Sequence, residues 1–228
     1  MTPSAFSQAV QALLLPHADP ARAADMRAYM RDQFDFLGLP TPLRRSLALP
    51  LLKAQAKQPA EALLAQAQAL WLLPAREYQY VAVDLLARHH KRLDMTQLEG
   101  LLALVQQRSW WDTVDALASV VGDVVHAASR TDVSAQLQMD AALRHPDLWV
   151  KRVAMLHQLG WRADVDERRL FDYALVLAPE TDFFIRKAIG WALRDYARHA
   201  PDTVRAFLAQ QGAVLAPLSV REAARHLG

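Results

Sequence analysis

The chain is 228 residues long, carries 26 Lys and Arg against 24 Asp and Glu for a formal net charge of +2, and contains no cysteine. Disulfides, thiolate metal sites, iron–sulfur clusters and cysteine nucleophiles are thereby excluded together. Only seven glycines, with abundant Ala, Leu, Arg and Gln, favour helix throughout. A net charge this close to neutral leaves any case for a polyanionic partner to the distribution of charge, despite a sequence pI of about 9.0.

The opening stretch MTPSAFSQAVQALLLP lacks the basic start and small-residue cleavage pattern of a secretory leader, and no apolar run approaches the ~18 residues of a membrane span. A cytoplasmic protein with no membrane attachment is expected. Helical periodicity then recurs between LLLPHADPARAADMRAYM, GLPTPLRR, AKQPAEALL, LLPAREYQY, RHPDLW, APETDFF and HAPDTV, each holding a Pro, a Gly or a capping Asp or Thr at a helix boundary. This spacing predicts roughly twelve or thirteen helices, each about 10 to 18 residues long.

The helices repeat. Superposing REYQYVAVDLLARH, WWDTVDALASVV, WVKRVAMLHQL and FIRKAIGWALRDYA aligns Ala82, Ala116, Ala154 and Ala188, separated by 34, 38 and 34 residues. A two-helix period of about 34 to 40 residues is the signature of an α-solenoid of HEAT type, in which each repeat buries its face against its neighbours. The expected fold is therefore all-α, a solenoid of about six HEAT-like repeats with one concave face, forming a single domain over residues 1–228. An irregular helical bundle is the competing arrangement.

Three segments carry candidate chemistry. In SWWDTVDALA, Ser109 and Asp112 have the spacing of a capping box, which gives Asp112 a structural role. Asp115 lies a turn further in, on the Trp111 side and away from the apolar stripe of Val114, Leu117, Ala118 and Val121. That pattern fits either a solvated acid beside a rim tryptophan or a site for a cationic substrate. In TDFFIRKAIGWALRDYARHAP the stripe is Ile185, Ala188, Ile189, Ala192 and Leu193, leaving Lys187, Trp191, Arg194 and Arg198 on another face. Cations with an interleaved ring suit phosphate and base or sugar, although tryptophan against arginine stems is also ordinary packing. In RHPDLWVKRVAMLHQLGW, Lys151 and Arg152 precede the inward residues Val153, Leu156 and Leu159 and fall at the register of Arg186 and Lys187 one repeat later. On a solenoid these cations line up as a basic track.

Other nuclei of chemistry are weaker. The adjacent His89 and His90 point to different helix faces, so no metal site is expected there, and His145 and His157 are isolated. Neither a phosphate-binding glycine loop nor a G-x-S-x-G elbow occurs. A site built of carboxylate and aromatics would need no cofactor.

The segments SWWDTVDALA, LWVKRVAMLHQL and FFIRKAIGWALRDYAR, with YMRDQFDFLGLPTPLRR and REYQYVAVDLLARHHKRL, resemble the HEAT-like-repeat DNA alkylation repair enzymes, the AlkD-type alkylpurine DNA glycosylases, over residues 22–200. The resemblance implies hydrolysis of the N-glycosidic bond of cationic N7- and N3-alkylated purines in double-stranded DNA, without a pocket enclosing the base. It assigns the catalytic aspartate to Asp115, the paired aromatics to Trp111 and Trp191, and the assisting arginine to Arg152, which would hold a phosphate and orient water. Tyr29 matches a further aromatic near the site, and Arg44, Arg45, Lys151, Lys187 and Arg194 are expected to contact phosphates. The partner implied is duplex DNA containing alkylated bases, bound by a monomer that associates with the nucleoid when on DNA. A non-catalytic HEAT-type protein recognising damaged or branched DNA would need the same cations without Asp115, and a protein–protein scaffold would need neither.

Overall fold

The computed structural model describes residues 1–227. Among these, all regular structure is helical apart from one isolated bridge between Asp35 and Ala75, and thirteen α-helices are formed. The chain divides into two compact units, residues 1–104 and 105–228.

The first unit runs through α1 (Pro3–Leu14), α2 (Pro20–Tyr29), α3 (Thr41–Ala54), α4 (Ala60–Trp71) and α5 (Arg76–Arg88) into α6 (Leu98–Val105). The first two helices start where the sequence signals a start: Thr2 and Asp19 accept backbone N–H groups, each followed by proline in the first turn. Helix α1 packs on α3 and α4, and α5 packs on α3 and α4. The loop after α2 turns at Gly38, whose φ of 89° and backbone close to Asp19 leave no room for a side chain. Glu77, fully buried in the first turn of α5, accepts from the N–H groups of Leu37, Gly38 and Leu39 at 2.9–3.1 Å and so ties that loop to the helix.

The second unit contains α7 (Trp111–Ser129), α8 (Leu137–Ala142), α9 (Leu148–Leu156), α10 (Glu167–Val176), α11 (Phe183–Ala197), α12 (Pro201–Gln211) and α13 (Pro217–Ala223). Here α7, α9, α11 and α13 pack each on the next, while α8, α10 and α12 pack against α9 and α11 as a second layer. Each helix packing on the one two places along is the pattern that the repeat predicts, and the aligned alanines fall on α5, α7, α9 and α11. The apolar stripes are where the periodicity puts them: Val114, Leu117, Ala118, Val121, Val153, Leu156, Ile185, Ala188, Ile189, Ala192 and Leu193 are all buried, and Leu159 is half-buried. Each fully buried Val, Leu or Ile contributes about 1.5–3 kcal/mol, so the interior layer fixes the helices that carry the polar face.

Candidate functional site

The polar face of the second unit begins at the start of α7. Its N-cap is Trp110, which has no side-chain cap bond, and the Ser109 hydroxyl instead donates to the Val105 carbonyl at 2.6 Å. The expected capping box is therefore absent: the hydroxyl is spent on an orphan carbonyl at the end of the preceding helix. Asp112 remains a first-turn acid favoured by the helix dipole. Both α9 and α11 have aspartate caps: Asp147 Oδ1 accepts from Trp149 and Val150, and Asp182 Oδ1 accepts from Phe184 and Ile185.

Counting from the caps Trp110, Asp147 and Asp182 reveals a common register, since Asp115, Arg152 and Lys187 each lie five residues on. Equivalent positions on packed neighbouring helices face one another, and between α7 and α9 the charges there are opposite. Arg152 forms a fork on Asp115, with Nε 2.7 Å from Oδ1 and Nη2 2.8 Å from Oδ2. Its remaining terminal nitrogen, Nη1, donates to the Phe184 carbonyl. The Arg152 side chain is 1% exposed, whereas that of Asp115 is 23% exposed, so a buried cation presents a partly open carboxylate. Trp191 lies beside them, with Arg152 Cζ 5.2 Å from its ring centroid. Trp111, in the first turn of α7, is half-buried.

Arg152 thus differs from its expected role. A guanidinium buried this deeply and committed to Asp115 and a backbone carbonyl is not open to a phosphate, and its work is to hold the carboxylate. Arg44 also lies away from the surface where a phosphate contact was expected. It is 4% exposed within the first unit, ion-paired to Asp84 Oδ2 at 3.2 Å and stacked 4.7 Å from the Tyr80 centroid, so it is not a surface phosphate ligand. Burial pulls its guanidinium below the usual arginine range against the opposing pull of Asp84. Arg45 is exposed and shares Asp84, and Tyr29 is 74% exposed at the end of α2.

The other nominated cations stand on the same layer of the second unit, each with a carboxylate. Lys151 Nζ lies 2.5 Å from Glu180 Oε1; Lys187 and Arg194 share Glu222, at 2.7 and 2.9 Å. Arg198, at the C-cap of α11, is exposed. The basic track is therefore a row of compensated pairs, which the one-dimensional charge pattern conceals.

Three aromatics that the sequence reading did not nominate complete the neighbourhood. Trp110, Trp149 and Phe184 form a cluster with centroid separations of 5.8, 5.1 and 4.9 Å, and exposed Phe183 lies against Phe184. Their common signal is an aromatic at or just after the cap in SWW, DLW and DFF. A second Asp–Arg fork, Arg169 on Asp140 at 2.7 Å for both bonds, also receives the Tyr173 hydroxyl at 2.6 Å. The Arg169 hydrogen bond is the main cause holding Asp140 below the usual carboxylate range. With three donors on its two oxygens, Asp140 is tied more fully than Asp115. The four sequence-noted histidines do not converge: His89 and His90 bond the Leu52 and Ala87 carbonyls, His145 accepts from the Asp147 N–H, and His157 lies between the Ala154 carbonyl and Gln136. Among the described residues no group of three or more potential ligands is placed to hold a metal ion, and no helix is long and apolar enough to cross a membrane.

A search of curated proteins gives no match. Among solved structures, the chain is similar to a predicted DNA alkylation repair enzyme from Enterococcus faecalis, with 33% identity, 92% of this chain and 97% of that chain covered, and a TM-score of 0.85. The family model described as DNA alkylation repair enzyme matches residues 10–227, across both compact units and through every helix of the polar face. The chain belongs to the DNA alkylation repair enzyme family.

Proposed function

We propose that this protein is a DNA glycosylase that hydrolyses the N-glycosidic bond of cationic N7- and N3-alkylated purines in duplex DNA, working as a monomer in which both compact units serve one cytoplasmic or nucleoid-associated enzyme. The observation that carries the reading is the partly open Asp115 carboxylate, held in a fixed orientation by buried Arg152 beside the Trp191 ring.

An alkylated purine already bears a positive charge, so when the C1′–N bond breaks its electron pair returns to the base and neutralises it. The developing charge moves to the deoxyribose, where it resembles an oxocarbenium ion. A fixed carboxylate favours that charge more than the ground state and does not have to reorganise. Each Asp115 oxygen gives one lone pair to Arg152 and retains another for the sugar cation or for the water that adds to C1′. The faces of Trp111 and Trp191 favour the same cation, and Tyr29, Arg45, Lys151, Lys187 and Arg194 are the contacts to DNA. The products are a free alkylpurine and an abasic sugar, with the water proton passing to solvent.

None of these groups reads a base edge, so selectivity rests on leaving-group charge. In a base-release assay on duplex DNA, the chain is expected to free 7-methylguanine, 3-methyladenine and bulkier cationic adducts while leaving uracil and O6-methylguanine in place. Asp115→Asn is expected to lower release about a hundredfold or more with DNA binding retained or tighter. Equal release by the variant removes Asp115 from the mechanism, and DNA binding without any base release identifies a non-catalytic damage-binding protein.

A further inference from the structure

Glu222, on α13, lies outside the Asp115–Arg152 pair, yet two cations of α11 converge on its carboxylate. Lys187 Nζ is 2.7 Å from Oε1 and Arg194 Nη1 is 2.9 Å from Oε2, and both cations also lie 5.9 Å from the centroid of the Trp191 ring. The hydrogen bond from Lys187, followed by the nearby charges of Lys187 and Arg194, holds this carboxyl below its ordinary range although burial opposes them. The residue is 8% exposed.

The approach is built into the backbone. A Cβ on Gly190 would lie 2.5 Å from Glu222 Cβ and 2.9 Å from the Ser219 carbonyl, so only glycine lets α13 bring this carboxylate onto α11. The Trp191 ring also has Arg152 Cζ 5.2 Å from its centroid. It thus meets the two cations that Glu222 holds as well as the one that orients Asp115. Carboxylates and phosphates recruit cations by the same charge-assisted hydrogen bonds.

We infer that Glu222 is a positioning residue: it holds Lys187 and Arg194 against the Trp191 ring beside the Asp115–Arg152 pair, and it occupies these two cations as a DNA phosphate would, so that phosphate binding there competes with an internal carboxylate. The inference rests on the glycosylase reading for its effect on chemistry and on DNA binding alone for its effect on affinity.

Two substitutions in the full chain separate the two roles. Glu222→Gln removes the charge but keeps an oxygen acceptor for the two cations that flank the indole; Glu222→Ala removes both. Three measurements are made: duplex binding over a salt series, single-turnover release of 7-methylguanine, and the NMR resonance of the Trp191 indole N–H, assigned by its loss in Trp191→Phe. Both variants are expected to bind duplex more tightly, with a log–log salt slope steeper by about one unit for each cation freed. Only Glu222→Ala is expected to shift the indole resonance strongly and to slow base release by about tenfold or more. Unchanged affinity and slope in the well-folded Gln variant, or an unmoved resonance in the Ala variant, overturns the inference. Should the unsubstituted chain bind DNA and release no base, the glycosylase reading falls by itself, and Glu222 stands or falls on the binding and resonance measurements.

Discussion

Arg152 shows how one side chain can hold a site together without facing the solvent. Its fork on Asp115 and its third bond to the Phe184 carbonyl use the planar geometry of guanidinium, which an ammonium cannot copy. Arg152→Lys is therefore expected to lower base release by about ten- to a hundredfold, while duplex affinity and its salt slope stay near those of the unsubstituted chain. A loss expressed mainly as weaker, flatter salt-dependent binding would instead return Arg152 to a phosphate. At this scale the sequence does not show that Arg152 is buried, because a cation next to an apolar run looks the same whether the guanidinium turns outward or inward. Arg44 was misplaced for the same reason: its partner Asp84 is forty residues away. Glu77 reads as an ordinary first-turn acid, yet its three acceptor contacts are to a loop 38–40 residues earlier.

Between helices, what matters is how closely the backbones approach. Gly122 lies inside α7, where a Cβ would come 2.0 Å from the His157 carbonyl, so the crossing of this helix with the end of α9 depends on the missing side chain. Because the obstacle is backbone, Gly122→Ala is expected to destabilise the fold by about 1–3 kcal/mol through overpacking, despite alanine's better helix propensity, as read by urea denaturation. A stabilised variant would show that the crossing has slack. Most of the element-level organisation is legible: periodic apolar residues mark the buried stripes, and Asp147 and Asp182 mark the starts of α9 and α11. Counting from those caps also aligns Lys151 with Arg186 and Arg152 with Lys187, a register that the alanine superposition misses by one residue. The cap at Ser109 is illegible because a hydroxyl can bond forward to an N–H or backward to a carbonyl. Glu222 is harder still, since it belongs to a seven-residue helix beyond the segments that carry the family resemblance.

For the molecule as a whole, acid sensitivity follows from His157. It is fully buried, with the charges of Arg169, Asp140 and Asp166 acting on it, and burial first of all lowers its pKa from 6.5 to about 4. Above 6.5 the ring is neutral in both folded and unfolded chains; as pH falls towards about 4 the unfolded chain takes up the proton first, so stability is progressively lost across that window. Melting temperatures measured from pH 7 to 4 are expected to fall, and His157→Gln is expected to flatten the dependence; an unchanged pH profile in the variant assigns the sensitivity to other groups. The Trp110–Trp149–Phe184 cluster offers a way to watch the site apart from the rest of the fold. Indole rings 5.8 Å apart and inclined at 54° couple their electronic transitions, which gives the start of α7 and α9 a chiroptical signature in the near ultraviolet. Helical far-ultraviolet dichroism reports all thirteen helices together, so a near-ultraviolet signal that fades first on warming would reveal the site loosening while the scaffold is still intact.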